Sequence, residues 1–122
     1  MTTLFERLGG REAVRQVVES FYKSVLADKR INHFFDGIDM VRQKQKQVAF
    51  LTMVFGGPHQ YSGKDMREGH RLLVQRGLDD SHVDAVIELL QQALKDYGAP
   101  PEDIAEVVHI ANSVRDDVLD RH

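Results

Sequence analysis

Met40-Val41-Arg42-Gln43-Lys44-Gln45-Lys46-Gln47-Val48-Ala49-Phe50-Leu51-Thr52-Met53-Val54-Phe55 is the stretch that decides the fold. Met40, Gln43, Gln47, Phe50 and Val54 fall at i, i+3, i+7, i+10 and i+14, a single face of an α-helix. Two carboxamides therefore share a core-facing stripe with three apolar side chains. Asp39 precedes the run as an N-cap, and Gly56-Gly57-Pro58 stops it.

The same helical period extends outward in both directions. Thr3 and Glu6 have the spacing of a capping box for a very short first helix that Gly9-Gly10 ends. A second helix is expected from about Arg11 to Leu26, with Val14, Val17, Val18, Phe21 and Val25 on one stripe and Tyr22 flanking it. Ile31 to Phe35 brings two adjacent aromatics into a tight corner. Beyond the decisive stretch, Asp65 and Glu68 open a short helix ending near Gly77, with Met66, His70, Leu73 and Val74 on one face. Ser81 to Tyr97 forms the next helix, with Val83, Val86, Ile87, Leu90 and Leu94 as its stripe and Gly98 as its cap. Pro100-Pro101 opens a last helix on which Ile104, Val107, Val108, Ala111 and Val118 face inward. With no stretch of strict alternation beyond a few residues, the chain is expected to be all-α. No repeat or low-complexity segment divides it, so residues 1–122 are expected to form one domain.

Composition narrows the classes further. A chain of 122 residues buries roughly 65% of the surface it exposes when unfolded, enough for a core without staples. It has no cysteine, which removes disulfides, thiolate haem ligation and iron–sulfur ligation. The N-terminus lacks signal-peptide and transit-peptide character, so a cytoplasmic protein is expected. No apolar run approaches the roughly 20 residues that span a bilayer. A net charge of −3 and a pI near 6.0 argue against nucleic-acid binding that relies on many phosphate contacts.

What remains to be explained is the polar set. Tyr22, Gln43 and Gln47 sit at core-facing positions of two helices, and His70 ends the segment Met66-Arg67-Glu68-Gly69-His70 on another. Cores do not ordinarily collect a phenol, two amides and an imidazole unless something polar lies between them. A flat, largely apolar cofactor with one metal at its centre needs that set, a ligand on one side and hydrogen-bond donors on the other, and haem is the leading candidate. Phe34, Phe35, Phe50 and Met66 are available to line a flat pocket.

Each residue has an ordinary reading alone. His70 reads as a satisfied core histidine, Tyr22 as a core-edge tyrosine with its hydroxyl in water, and either glutamine as helix surface. The coincidence of all four is what points to a cofactor. Gly69 adds to it, because a helix-interior glycine costs roughly 1 kcal/mol against alanine and close approach of a bulky group accounts for that cost. Lys44 and Gln45 point away from the stripe and suit a solvated face. Lys46, three residues after Gln43, is placed at the pocket rim, where it pairs with a cofactor carboxylate, hydrogen-bonds a ligand, coordinates the metal itself, or simply meets solvent. His33, His59, His82, His109 and His122 look peripheral. No HxxxH or HExxH pair is present, nor GxGxxG, GxxxxGK[ST] or GxSxG, so zinc hydrolase, nucleotide and serine-hydrolase chemistry lose their usual signatures.

Leu8-Gly9-Gly10, Phe21-Tyr22, Phe34-Phe35, Gln43 to Gln47 leading into Ala49-Phe50-Leu51, Phe55-Gly56-Gly57, and Met66 to His70 together resemble the group I truncated haemoglobins, most of all the cyanobacterial and algal members. The resemblance runs over nearly the whole chain. It implies a two-over-two helical sandwich around haem, a shortened globin in which the helix bearing the proximal histidine is mostly loop. It implies His70 as the iron ligand, Phe35 as the aromatic packed on the haem, and Tyr22, Gln43 and Gln47 as the distal cluster. Some relatives carry a distal histidine where Lys46 stands, so bis-histidine ligation there is excluded. Others bond haem to a histidine in the last helix, where this chain has Val114, so non-covalent haem b is expected.

The function implied is tight, reversible binding of oxygen and other diatomic gases, nitric oxide and carbon monoxide among them. Conversion of nitric oxide to nitrate with electrons from an external reductase follows from it, whereas tight retention argues against simple oxygen transport. The alternative puts Lys46 on the iron, giving a six-coordinate protein for electron transfer or redox protection. A haem-free interaction module, whose polar positions reach solvent, is a third reading. Peroxidase-like chemistry is a fourth, although no distal acid–base pair is evident.

Overall fold

The computed structural model describes residues 3–57, 71 and 73–119. Helix α1 spans Leu4–Leu8, α2 Gly10–Ala27, a 3-10 turn Asn32–Phe35, α3 Met40–Val54, α4 Asp80–Tyr97, α5 Pro101–Ser113 and α6 Arg115–Val118. Residues 71 and 73–75 are also helical. The short helix expected from Asp65 falls mostly outside the described residues, and with it His70 and Met66.

Helix starts follow local chemistry. The Thr3 hydroxyl accepts the Glu6 N–H at 3.2 Å, and the Asp39 carboxylate accepts the N–H groups of Val41 and Arg42. At α4, Asp79 accepts from Ser81 N–H while the His82 ring accepts the Asp79 N–H at 3.0 Å, a reciprocal cap in which a histidine takes the usual glutamate's place. His82 is therefore structural rather than peripheral.

α2 is the central element, packed on α3 on one side and on α4 on the other. Val14, Val17, Val18, Phe21 and Val25 are all buried, as their spacing requires. Full burial of such side chains stabilises by roughly 1.5–3 kcal/mol each. α4 packs in turn on α5. Phe5 N–H donates to the Phe55 carbonyl at the end of α3, while Lys44 near its start pairs with Glu19 well along α2. α2 and α3 consequently run in opposite directions.

Tyr22 takes the core-facing position and not a wet core edge: it is 2% exposed and among the most deeply buried large side chains. One detail departs from the sequence expectations, since the last helix is not continuous: it ends at Ser113 and resumes at Arg115, with Val114 at the break. Asn112 and Ser113 turn their side chains back onto the carbonyls of Val108 and Ile110, competing with the helical ladder. Arg115 then anchors the resumed turn to Asp80 and Asp84 of α4.

Candidate functional site

One cavity lies among these helices, with about 820 Å³ of space between protein atoms, counting the part continuous with solvent. α2 contributes Phe21 and Tyr22, the 3-10 turn Phe34 and Phe35, and α3 Gln43, Gln47 and Phe50. Opposite them stand Val83, Val86, Ile87 and Leu90 of α4, and Ala111, Val114 and Val118 at the end of the chain. The break at Val114 thus lies at the cavity wall.

Among the described lining residues only Tyr22, Gln43 and Gln47 are polar, and none is charged. All three come from α2 and α3, so the polarity is confined to one part of the wall. The Gln43 amide donates to the Tyr22 hydroxyl oxygen at 3.2 Å. Edge contacts hold the phenol ring on two sides, Phe21 at 5.0 Å and Phe35 at 5.8 Å between centroids. Such a cavity suits a flat, apolar group that accepts hydrogen bonds at one place.

Leu73 and Leu78 also line it, set by the helix end that the sequence places near Gly77. Gly77 adopts φ +100°, Leu78 N–H donates to the Leu73 carbonyl, and Gly77 N–H donates to that of Val74. This six-to-one and five-to-two pattern ends a helix and sets the two flanking leucines against each other. Arg76 was missed. Its guanidinium donates to the carbonyls of Phe34 and Asp36 at 2.9 and 3.1 Å, fixing the aromatic corner to the segment that carries Leu73. Forty-two residues separate Arg76 from Phe34, and no local pattern announces such a bond.

Of the residues singled out from sequence, Tyr22, Phe34, Phe35, Gln43, Gln47 and Phe50 meet around this cavity. Lys46 is exposed and does not line it. His70 and Met66 lie outside the described residues.

The family model described as bacterial-like globin matches residues 3–120. A group 1 truncated haemoglobin from Synechocystis sp. is 49% identical over 114 residues, covering 93% of this chain and 92% of that protein. The chain belongs to the group 1 truncated haemoglobins. Another member, from Tetrahymena pyriformis, is 43% identical over 117 residues, or 96% of this chain and 94% of that one. The solved 2/2 haemoglobin of Synechococcus sp., in the cyanomet state with covalently attached haem, matches with a TM-score of 0.90 at 46% identity, covering 98% of this truncated haemoglobin and all of its counterpart. The Fe(III) form of the Tetrahymena pyriformis protein gives a TM-score of 0.87 at 42% identity, over 97% and 98% of the two chains. Solved variants of that protein carry one Tyr→Phe or either of two Gln→Glu changes. Their positions are 21 and 4 residues apart, the intervals that separate Tyr22, Gln43 and Gln47.

The two-over-two sandwich is therefore the fold of this truncated haemoglobin, and as a globin it is a haem- and gas-binding protein. Its own residues fit that cofactor: among the described residues the lining is apolar and uncharged apart from donors at one wall, the chemistry a porphyrin and a small polar ligand need together. Among the described residues no helix is long and apolar enough to cross a membrane.

Proposed function

We propose that this chain, as one domain over residues 1–122, binds haem b without a covalent link and takes oxygen, nitric oxide or carbon monoxide with high affinity. In this reading His70 ligates the iron, Phe35 packs on the porphyrin with Phe34, Phe50 and Met66, and Tyr22, Gln43 and Gln47 face the gas. The observation that carries it is the confinement of three polar side chains to one part of a cavity whose described lining is otherwise apolar and uncharged. Helical spacing in the sequence sets His70 three residues before Leu73, a lining residue. The Tyr→Phe and Gln→Glu variants of the Tetrahymena relative, at matching intervals, support attention to the same three residues.

When bound, the haem supplies an iron at which a diatomic gas is held and undergoes redox chemistry. The protein supplies direction. Gln43 donates to the Tyr22 oxygen and so fixes where the phenol stands at the cavity wall, and in this reading the Tyr22 hydroxyl would donate to the outer atom of a bound gas. Gln43 and Gln47 add amide donors of their own. Each neutral hydrogen bond contributes on the order of 1 kcal/mol net, so two or three acting together slow gas release roughly 100-fold.

Slow release suits detoxification of nitric oxide more than transport. Nitric oxide, oxygen and one electron together make nitrate, and the electron must come from an external reductase. A chain without cysteine is suited to a reducing cytoplasm, where such a donor operates. Val114 at the cavity wall offers no nucleophile for the covalent attachment seen in the Synechococcus relative.

Titration of the haem-free protein with haemin tests the reading. A saturable Soret band at one haem per chain is expected, with loss or displacement of that band in His70→Ala. No band, or one indifferent to His70→Ala, overturns it.

A further inference from the structure

α2 and α3 also border a second groove, which is separate from the haem cavity. Gln43 and Gln47 line the cavity, whereas Lys44, Gln45 and Val48, each a step of about 100° or more around the helix, line the groove. Its lining on α3 runs from Val41 to Thr52, about 17 Å of helix.

The two ends of this groove differ chemically. Arg11 and Arg15 line it from the start of α2, which the opposed helix directions set beside the Thr52 end of α3. They lie one turn apart on the same face, so their guanidiniums repel. Among the described residues neither has an ion-pair partner. The groove's one acid, Glu19, is engaged by Lys44 at 3.0 Å. A cationic groove on a chain of net charge −3 is a local departure from the overall balance. At the other end Val41 leaves 68% of its surface exposed. Between the two, Val18 and Val48 give an apolar floor, and the Thr52 hydroxyl is already satisfied by the Val48 carbonyl at 2.6 Å.

We propose that this groove binds a free medium-chain fatty acid as its anion. The carboxylate sits between Arg11 and Arg15, accepting paired hydrogen bonds that the guanidinium forks donate, and their mutual repulsion becomes attraction to a shared charge. The acyl chain lies over Val18 and Val48 and covers Val41. Unpaired cations at one end, bare valine at the other, and between them an apolar floor beside the mutually neutralised Lys44–Glu19 pair match a single-chain carboxylate better than a compact anion such as phosphate, which has no use for the floor.

Dodecanoate, kept below its micellar concentration, is the probe, added to the haem-loaded ferrous carbonyl protein and followed by isothermal calorimetry and amide chemical shifts. The largest shifts are expected at Arg15, Val41, Lys44 and Val48. Dodecanol binds at least tenfold more weakly, as does dodecanoate to the Arg11→Gln/Arg15→Gln double variant, while Lys95→Gln, far from the groove, binds as the unaltered protein does. Both arginines are exposed, and circular dichroism checks that the double variant keeps its helices. Absence of binding, equal affinity for dodecanol, shifts centred on Val86 and Val114, or attachment to phosphatidylglycerol vesicles without binding of monomeric dodecanoate each overturns the proposal.

Discussion

The side-chain amide of Gln43 donates to the hydroxyl oxygen of Tyr22 across 3.2 Å, tying α3 to α2 where both present polar groups to the cavity. That bond positions the phenol, and in the proposed reading the Tyr22 hydroxyl is the donor to the gas. Tyr22→Phe deletes the donor and is expected to speed oxygen release tenfold or more. Gln43→Leu keeps the donor but loses its orientation, for an increase of roughly three- to tenfold, the equivalent of about one neutral hydrogen bond. Stopped-flow displacement of oxygen by carbon monoxide measures both, and an unchanged rate in Tyr22→Phe ends its assignment to the gas.

Val114 stands at the cavity wall, and in the proposed reading it occupies the position from which relatives bond haem. Acid–butanone extraction of the haem-loaded protein is expected to leave a colourless chain whose mass is that of the polypeptide alone. Retention of haem through extraction contradicts the non-covalent assignment.

Gly57 is required by space. A Cβ built there meets the Phe5 ring at 2.7 Å, at Cγ and Cδ1, the part of the ring nearest its own backbone. Phe5 is held in turn by its N–H bond to the Phe55 carbonyl. Gly57→Ala should therefore destabilise by about 1–3 kcal/mol, the usual range for overpacking. In urea denaturation the same substitution made on a Phe5→Ala background should cost much less, and equal costs in the two backgrounds would refute the steric account.

Arg76 joins distant parts of the site by donating to the Phe34 and Asp36 carbonyls. Arg76→Met removes two charge-assisted bonds, one part-buried and one exposed, for an expected loss of about 1–3 kcal/mol. Haem dissociation to a scavenging apoglobin should accelerate as the Phe34–Phe35 corner loosens. If stability falls while haem loss stays constant, the bond serves the fold and not the cofactor pocket.

Asp79 caps α4, and its carboxyl is held below the ordinary value of 3.8, first by the Ser81 hydroxyl and further by the Ser81 N–H and His82. A depressed folded value stabilises the protein above the unfolded pKa, and the contribution disappears as pH falls through the folded one. Asp79→Asn keeps a capping oxygen but removes the charge. The two proteins should differ in stability at pH 7 and converge as pH falls below the lowered folded value, where the carboxyl is protonated in both states. A difference that persists unchanged at acid pH would locate the effect in packing instead.

Much of this was legible in order along the chain. Capping residues and glycines marked the ends of α1 to α4 within a residue or two, because caps act on the backbone beside them. The stripe through Gln43, Gln47 and Phe50 was readable because helical geometry is fixed, so spacing alone decides which side chains share a face. Val114 was not legible as a break, since the competing bonds of Asn112 and Ser113 and the ion pairs of Arg115 with Asp80 and Asp84 decide it together.

The amino-acid order by itself determined the helices, their inward faces and the odd company of a phenol and two amides on those faces. Tertiary structure alone decided that Tyr22 is buried and bonded to Gln43, that Arg76 reaches back to the Phe34 carbonyl, that Lys46 is exposed, and that α2 and α3 border two separate spaces. Periodicity belongs to one helix at a time. Burial, hydrogen-bond direction and the shape of a cavity depend on how several helices close around it, and no spacing within one segment contains that information.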